Sequence, residues 1–432
     1  MTAMVEVWLP YGRTEVSVKV PDENFLGVLE PRDEPLPEDA GPEIEHALQD
    51  PVDSKPLSSI VSSGEKVAIV TDDATRPVPT HLLLEPMITE LTRANITPED
   101  ITVIIGTGMH RAAGSEEMGR IVGAKLADQL KSMNHDCRSN TLVRVGTTSH
   151  GTEVLLNEAF VKADVRVLTG DIELHHYAGY GGGRKSVLPG VSGEQTILQN
   201  HALSLCEGAG PGIMKGNPVS EDMTEAAEMA KVDFITNVVL NRRGEIVKTY
   251  SGDLHKAFLR GTQLVDKMCK VTCESKADIA VVSPGGAPRD RDLYDSLRAI
   301  HHTLSIVNDG GAIILIAECP GGHGSQQLYD WMGKIGDLRK MEREIRKKFA
   351  IGGNEACFLA NALERVKIYL FSSIPDYYVS NVFKMRPSRT ANGALQAALR
   401  TVGKDSKIAI VPYGATTLPM LVEDQKEKGA SG

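Results

Sequence analysis

Hydrophobic positions along the chain alternate between two rhythms. Short β-branched runs, "KVAIVTDD" (66–73), "DITVIIGTG" (100–108) and "ADVRVLTGD" (163–171), read as buried strands. The first two are each followed by an amphipathic stretch of helical period, "THLLLEPMITELTRAN" (80–95) and "SEEMGRIVGAKLADQLKSM" (115–133). Strand-then-helix alternation predicts an α/β fold, a mainly parallel sheet flanked by helices. A second series starts near Ala277 with "ADIAVVSPGG", "GAIILIAECPGG" and "VKIYLFSS". Helical stretches separate its members, and the charges of one, "DWMGKIGDLRKMEREIRKKF", mark a solvated outer face.

A chain of 432 residues is longer than one hydrophobic core usually serves, so two domains are expected. We place the boundary close to residue 274. Residues 1–274 form a cofactor-binding catalytic domain and 275–403 a substrate-capping α/β domain, with the active site in the cleft between them. The last strand-like run, "KIAIVPYG" (407–414), fits either sheet, which leaves 404–432 able to return to the first domain.

Charge and cysteine usage narrow the partners. A formal net charge of −10 repels phosphate backbones and anionic lipid surfaces, which argues against nucleic acid and membrane. The opening "MTAMVEVWLPYGRTEV" lacks the basic start and apolar stretch of a secretory signal, so a cytoplasmic protein is expected. Six cysteines without a C-x-x-C pair suggest buried thiols rather than disulfides or a zinc knuckle, Cys269 and Cys273 included.

Three constellations carry chemistry. In "TDDATRPVPT" a strand ends at Asp72 and Asp73, and Thr75 and Arg76 follow; Arg76 offers a planar fork matching a carboxylate or phosphate, while the plain alternative is an Asx turn and a helix cap. In "GTGMHR", Gly106 and Gly108 allow a tight turn that projects His110 from a strand end, as a catalytic or a structural histidine. The third, "HHYAGYGGGRKSVLPG" (175–190), places two histidines, five glycines and Lys185 within sixteen residues. It is similar to a phosphate-binding loop, but Arg184 intervenes before Lys185 and Ser186, so the strict pattern fails. Its glycines favour close approach of backbone N–H groups to a phosphate, and "GEQTILQNH" supplies a helix that carries His201 near its far end.

Taken in order, "DDATRP", "GTGMHR", "VGTTSHGTEVLLNEAFVKADVRVLTGDIELHHYAGYGGGRKSVLPG" and "TILQNH" resemble the nickel-dependent lactate racemases and homologous 2-hydroxyacid racemases and epimerases. The resemblance implies a nickel-pincer nucleotide, pyridinium-3,5-bisthiocarboxylic acid mononucleotide with Ni(II), attached covalently at Lys185 and supplied by cofactor-biosynthesis enzymes. By the same match His201 completes the metal's square plane. Asp73, Ala74, Thr75 and Arg76 line the cofactor, and Arg76 also holds a substrate carboxylate. His110 and His175 match the two catalytic histidines, which suits inversion at C2 because a base must approach from either side. His176 is read as structural.

One departure lies in "GGAPRDRDLYDSLRAIHHT": where lactate racemases of the family show Gln-x-x-Lys after the tyrosine, this chain has Asp295 and Arg298. The i, i+3 spacing puts both on one helix face. An acceptor at Asp295 favours a hydroxyl-rich substrate, such as an aldonic acid, over lactate; equally, Asp295 serves only to orient Arg298 or Arg76. Lactate or another short 2-hydroxy acid is therefore the alternative substrate. Rival readings are a Schiff-base lyase or aldolase using Lys185, a nucleotide- or nickel-binding protein without turnover, and a nicotinamide dehydrogenase, the last lacking any G-x-G-x-x-G after a strand.

Overall fold

A computed structural model describes residues 3–334 and 338–422. The chain divides into two compact units, Asp33–Lys267, and residues up to Arg32 together with those from Met268 onward. Among the described residues no helix is long and apolar enough to cross a membrane.

The unit Asp33–Lys267 is built on a six-stranded sheet whose spatial order is 246–252, 234–240, 165–171, 67–72, 101–106 and 131–134. All neighbours pair in parallel except the edge strand Ile246–Gly252. Val67–Asp72 is buried along nearly its whole length, as the continuous apolar run "VAIV" requires of a central parallel strand. It packs with the helix Thr80–Arg93, whose Leu83, Leu84, Met87 and Leu91 face one core with Ile69 and Val103. The long helical reading of 115–133 resolves into two short helices, Ser115–Val122 and Ala124–Ala127, and the strand Lys131–Asn134. Gly123, at φ 91°, breaks the helix between them.

From Val67–Asp72 the chain moves outward to 101–106 and 131–134, then returns to pair 165–171 on the other side. The order reverses between 67–72 and 165–171, which makes the carboxyl ends of these two strands the crevice where open α/β sheets bind ligands.

The other unit carries a six-stranded, wholly parallel sheet in the order 386–388, 367–371, 307–316, 277–282, 408–411 and 25–28. This corrects the expected division at both chain ends. Ile408–Val411 pairs with Ala277–Val282 and with Phe25–Val28, so it lies inside the second sheet rather than returning to the first; residues 423–432 lie outside the described residues. The physical reason is burial: all four residues of Ile408–Val411 are buried, and only a strand flanked on both sides satisfies such a run.

The N-terminal hairpin, Met4–Tyr11 with Thr14–Pro21, likewise belongs to this unit. Its Leu9, Val18 and Val20 pack into one cluster with Ile279, Val281, Ile314 and Ile410. Its turn is fastened by the loop after Ala277–Val282: Gly12 N–H donates to Asp290 Oδ2 at 2.7 Å, and Ser283 Oγ to the Pro10 carbonyl at 2.5 Å. A hairpin that merely decorated the surface would leave Leu9 replaceable. Leu9→Ala should instead destabilise this unit by about 2–5 kcal/mol, read as a lower urea midpoint; a change within about 0.5 kcal/mol would remove the hairpin from the core.

Candidate active site

The site in the unit Asp33–Lys267 begins where strands end in acid. Asp72 closes one strand and Asp171 its neighbour. Beyond Asp72 the chain turns tightly: the Thr75 N–H and hydroxyl both donate to Asp73 Oδ1, at 2.9 and 2.6 Å, and Arg76 N–H donates to the Asp73 carbonyl. Ala74 is exposed at the crest of this turn. The Asx-turn alternative is therefore realised, yet it leaves Asp73 Oδ2 for another partner.

That partner is His110. After Ile101–Gly106, Gly108 adopts φ 53° and its N–H donates to the Gly190 carbonyl, which brings the following residues back over the strand ends. His110 Nδ1 lies 2.7 Å from Asp73 Oδ2, and its ring is half exposed. Burial pushes the Asp73 carboxyl up, but hydrogen bonds from His110 and Thr75 outweigh it and hold the group below the ordinary range. An ionised Asp73 only accepts, so His110 carries its proton on Nδ1 and presents a lone pair at Nε2.

The neighbouring charges behave differently. Burial, then repulsion from Asp171, raises Asp72 to about 8 despite Arg76. Its Oδ2 is buried with no hydrogen-bond partner among the described residues, and a Cβ on Gly170 would stand 2.9 Å from it. Arg76 lies 3.5 Å from Glu173; burial would weaken its protonation, but the carboxylates of Glu173, Asp171 and Asp73 hold it cationic. Asp171 and Glu173 escaped the sequence reading, although a strand run ending "TGD" at the switch point was the signal for the first.

The stretch 175–190 folds as a two-rung ladder, Leu174–His175 with Gly179–Tyr180, and a short helical turn, Gly183–Ser186, that holds Lys185. Its glycines permit close backbone packing. A Cβ on Gly179 would meet the Ile213 carbonyl at 2.0 Å, on Gly182 the Asp171 carbonyl at 2.5 Å, and on Gly190 the Ser186 carbonyl at 2.2 Å. They let the loop pack against the backbone of Asp171, Ile213 and Ser186. Within it His175 is buried and its Nδ1 accepts the Ala178 N–H at 3.2 Å, so a neutral His175 carries its proton on Nε2, the reverse of His110. His176 stacks on His175 at 4.6 Å, and Tyr177 sets its edge against both His175 and His201.

Arg184, missed as a site residue, is buried beside Lys185. One nitrogen donates to Ala178 O and Ser220 Oγ, and the guanidinium lies 4.6 Å above the Phe258 ring. Its Nε and Nη1 have no hydrogen-bond partner among the described residues, and burial pulls its pKa down to about 10. A buried cation with spare donors is costly alone and suits an anionic group.

His201 sits near the end of the helix Glu194–Ala202 and is buried. Burial, with the charges of Lys185, His176 and His110, lowers it to about 3, so the imidazole is neutral. Electrostatic reach thus joins Lys185 to both His201 and Asp72, and brings Asp73, Arg76, His110, His175 and His201 into one neighbourhood. A neutral imidazole, a lysine and cationic side chains fit an anionic group that bears a soft metal.

Asp295 and Arg298 lie in the other unit, half-buried along the helix Leu293–Thr303 as their spacing predicted. Asp295 Oδ2 is 2.7 Å from Arg291 Nη2, a partner the sequence reading did not foresee. One turn beyond Arg298, His301 Nε2 lies 2.8 Å from Glu355, which is buried.

The raised Asp72 carries a stability signature. Folded, it stays protonated up to about pH 8, whereas the unfolded group ionises near pH 4. Its contribution is thus fully present below about pH 4 and is lost as pH rises through the folded value. On cofactor-free protein, Asp72→Asn should raise the thermal midpoint more at pH 8 than at pH 5; an equal shift at both would mean that Asp72 is ionised in the fold.

Two family models match the chain: the lactate racemase N-terminal domain over residues 11–212, and the lactate racemase C-terminal domain over 272–418. The chain is 32% identical over 425 residues to the lactate racemase of Thermoanaerobacterium thermosaccharolyticum, covering 96% of this chain and 99% of that protein. Against the lactate racemase of Lactiplantibacillus plantarum it is 27% identical over 420 residues, 95% and 99% of the two chains. The solved lactate racemase apoprotein of T. thermosaccharolyticum superposes with a TM-score of 0.89 over 96% of this chain and 100% of that one, at 32% identity. A Thermotoga maritima structure at 18% identity shares the fold, with a TM-score of 0.66 over 88% and 98% of the chains. With its two-domain α/β architecture and near full-length similarity, the chain belongs to the lactate racemase family, isomerases that act on hydroxy acids.

Proposed function

We propose that the protein is a 2-hydroxyacid racemase or epimerase that inverts C2 with His110 and His175, and that Lys185 and His201 hold a nickel-pincer nucleotide. The observation that carries this reading is the opposite hydrogen-bond polarity of the two histidines: His110 Nδ1 faces an acceptor, Asp73, and His175 Nδ1 faces a donor, the Ala178 N–H. When bound, the nucleotide supplies a reversible hydride acceptor for the C2 hydrogen. The turn Asp73–Arg76, with Ala74 and Thr75, lines it.

The chain's own groups manage the proton and the pose. His110 takes the substrate hydroxyl proton at Nε2, and ionised Asp73 stabilises the imidazolium that results. His175 gives the Nε2 proton to the substrate oxygen from its imidazolium form, keeping a proton on Nδ1, and in the opposite direction takes the hydroxyl proton at Nε2 from that Nδ1–H form; both states require the bond from Ala178 N–H to Nδ1 to open. Arg76, kept cationic by its carboxylate neighbours, pairs with the substrate carboxylate.

For the substrate we propose a polyhydroxy acid such as an aldonic acid, with Asp295 and Arg298 reading hydroxyls and charge. Two observations favour the second reading, lactate or another short 2-hydroxy acid: both named relatives are lactate racemases, and Asp295 already pairs with Arg291.

The direct test is intact and peptide mass spectrometry with metal analysis on protein co-expressed with the enzymes that make the pincer nucleotide. We expect a mass addition on the peptide carrying Lys185 and stoichiometric nickel; unmodified Lys185 without nickel would leave the family standing and remove this mechanism. On loaded protein, His110→Ala and His175→Ala should each lower C2 inversion at least about 10²-fold with bound nickel unchanged, whereas Lys185→Ala should lose the adduct. Full activity in either histidine variant overturns the two-histidine scheme. Proton-exchange assays against a panel of aldonic acids and lactate decide the substrate, with turnover confined to lactate refuting the sugar-acid reading.

A further inference from the structure

Behind His201 runs a buried polar chain that no catalytic step requires. Asn200 Oδ1 lies 3.2 Å from His201 Nδ1, while Asn200 Nδ2 donates to Asp222 Oδ2 at 2.8 Å and to the Val219 carbonyl at 3.2 Å. Asp222 is wholly buried and receives three donors: Asn200, the Thr152 hydroxyl at 2.9 Å, and the Thr148 hydroxyl. Thr148 Oγ1 itself accepts the Thr152 N–H at 3.1 Å, which turns its own hydrogen toward Asp222. Both threonines come from "GTTSHGT" (146–152), a segment of the family pattern given no role so far.

The orientation of Asn200 follows from its partners. An amide can be reversed, but here one end faces two groups that only accept, a carboxylate and a carbonyl, so that end is the NH₂. The carbonyl oxygen then faces His201 Nδ1, and an oxygen there demands an N–H. A neutral imidazole has a single N–H, so the proton lies on Nδ1 and the lone pair on Nε2.

We propose that Asp222 and Asn200 are positioning residues that fix the tautomer of His201, with Thr148 and Thr152 holding Asp222, so that Nε2 is presented as the ligand for a soft metal. The inference rests on the reading of His201 as the nickel ligand. It gives the chemistry that metal-bound histidines need: an outer partner that sets the tautomer and raises the basicity of the ligating nitrogen. Arg184 and the His301–Glu355 pair offer no comparable chain of forced donors and acceptors.

The test reads the tautomer before any metal is present. Cofactor-free protein labelled with ¹⁵N-histidine should show, in long-range ¹H–¹⁵N correlation at pH 7, a protonated Nδ1 and an unprotonated Nε2 for His201, identified by its loss in His201→Gln. Asn200→Leu should convert this signal to a mixture of tautomers. The cofactor-loaded variant should release nickel about 10–100-fold faster than the parent. A proton on Nε2 in the parent overturns the proposal, and so does an unchanged tautomer in Asn200→Leu. If the tautomers behave as expected but no loaded protein holds nickel, the assignment of His201 as nickel ligand fails while the role of Asn200 and Asp222 in setting its tautomer stands.

Discussion

Parallel pairing of Val67–Asp72 with a strand on each side is the constraint from which the site follows. Parallel ladders align strand ends, so the chain leaves the sheet at Asp72, Gly106 and Asp171 along one edge. Because the strand order reverses between the first and third of these, their loops diverge and leave a crevice. Asp73, Arg76 and His110 stand on the loops that leave this edge, and the glycine-rich stretch carries His175, Arg184 and Lys185.

Burial then differentiates groups that are chemically alike. Asp72 and Asp73 are adjacent, yet Asp72 faces Asp171 in a dry setting and keeps its proton, whereas Asp73 meets His110 and Thr75 and loses it. His110 and His175 are likewise the same side chain, but one is held by a carboxylate and the other by a backbone N–H. His201 is a third case, neutral because burial and neighbouring positive charge disfavour a second proton. Three histidines thus have three distinct hydrogen-bond patterns within one neighbourhood.

The glycine-rich stretch links these parts through close packing. Gly179, Gly182 and Gly190 each stand where a side chain would strike the chain's own carbonyls. Their absence of Cβ is what allows His175, Arg184 and Lys185 to be held against the strand ends on so short a segment.

The sequence by itself determined most of the elements and the family. The apolar runs and helical periods marked most strands and helices, the strand-end motifs singled out Asp73, Arg76 and His110, the glycine-rich stretch Lys185 and the helix after it His201, and their ordered resemblance indicated the family, because periodicity and local motif are carried by neighbouring residues. Tertiary structure alone decided the rest. It joined Phe25–Val28 and Ile408–Val411 in one sheet across nearly the whole chain length, set Asp222 behind Asn200, paired Asp295 with Arg291, and packed the glycines against backbone carbonyls. Those outcomes depend on which distant groups exclude water from one another, and desolvation, the force that sets both strand partners and protonation states, is not a property of any local stretch.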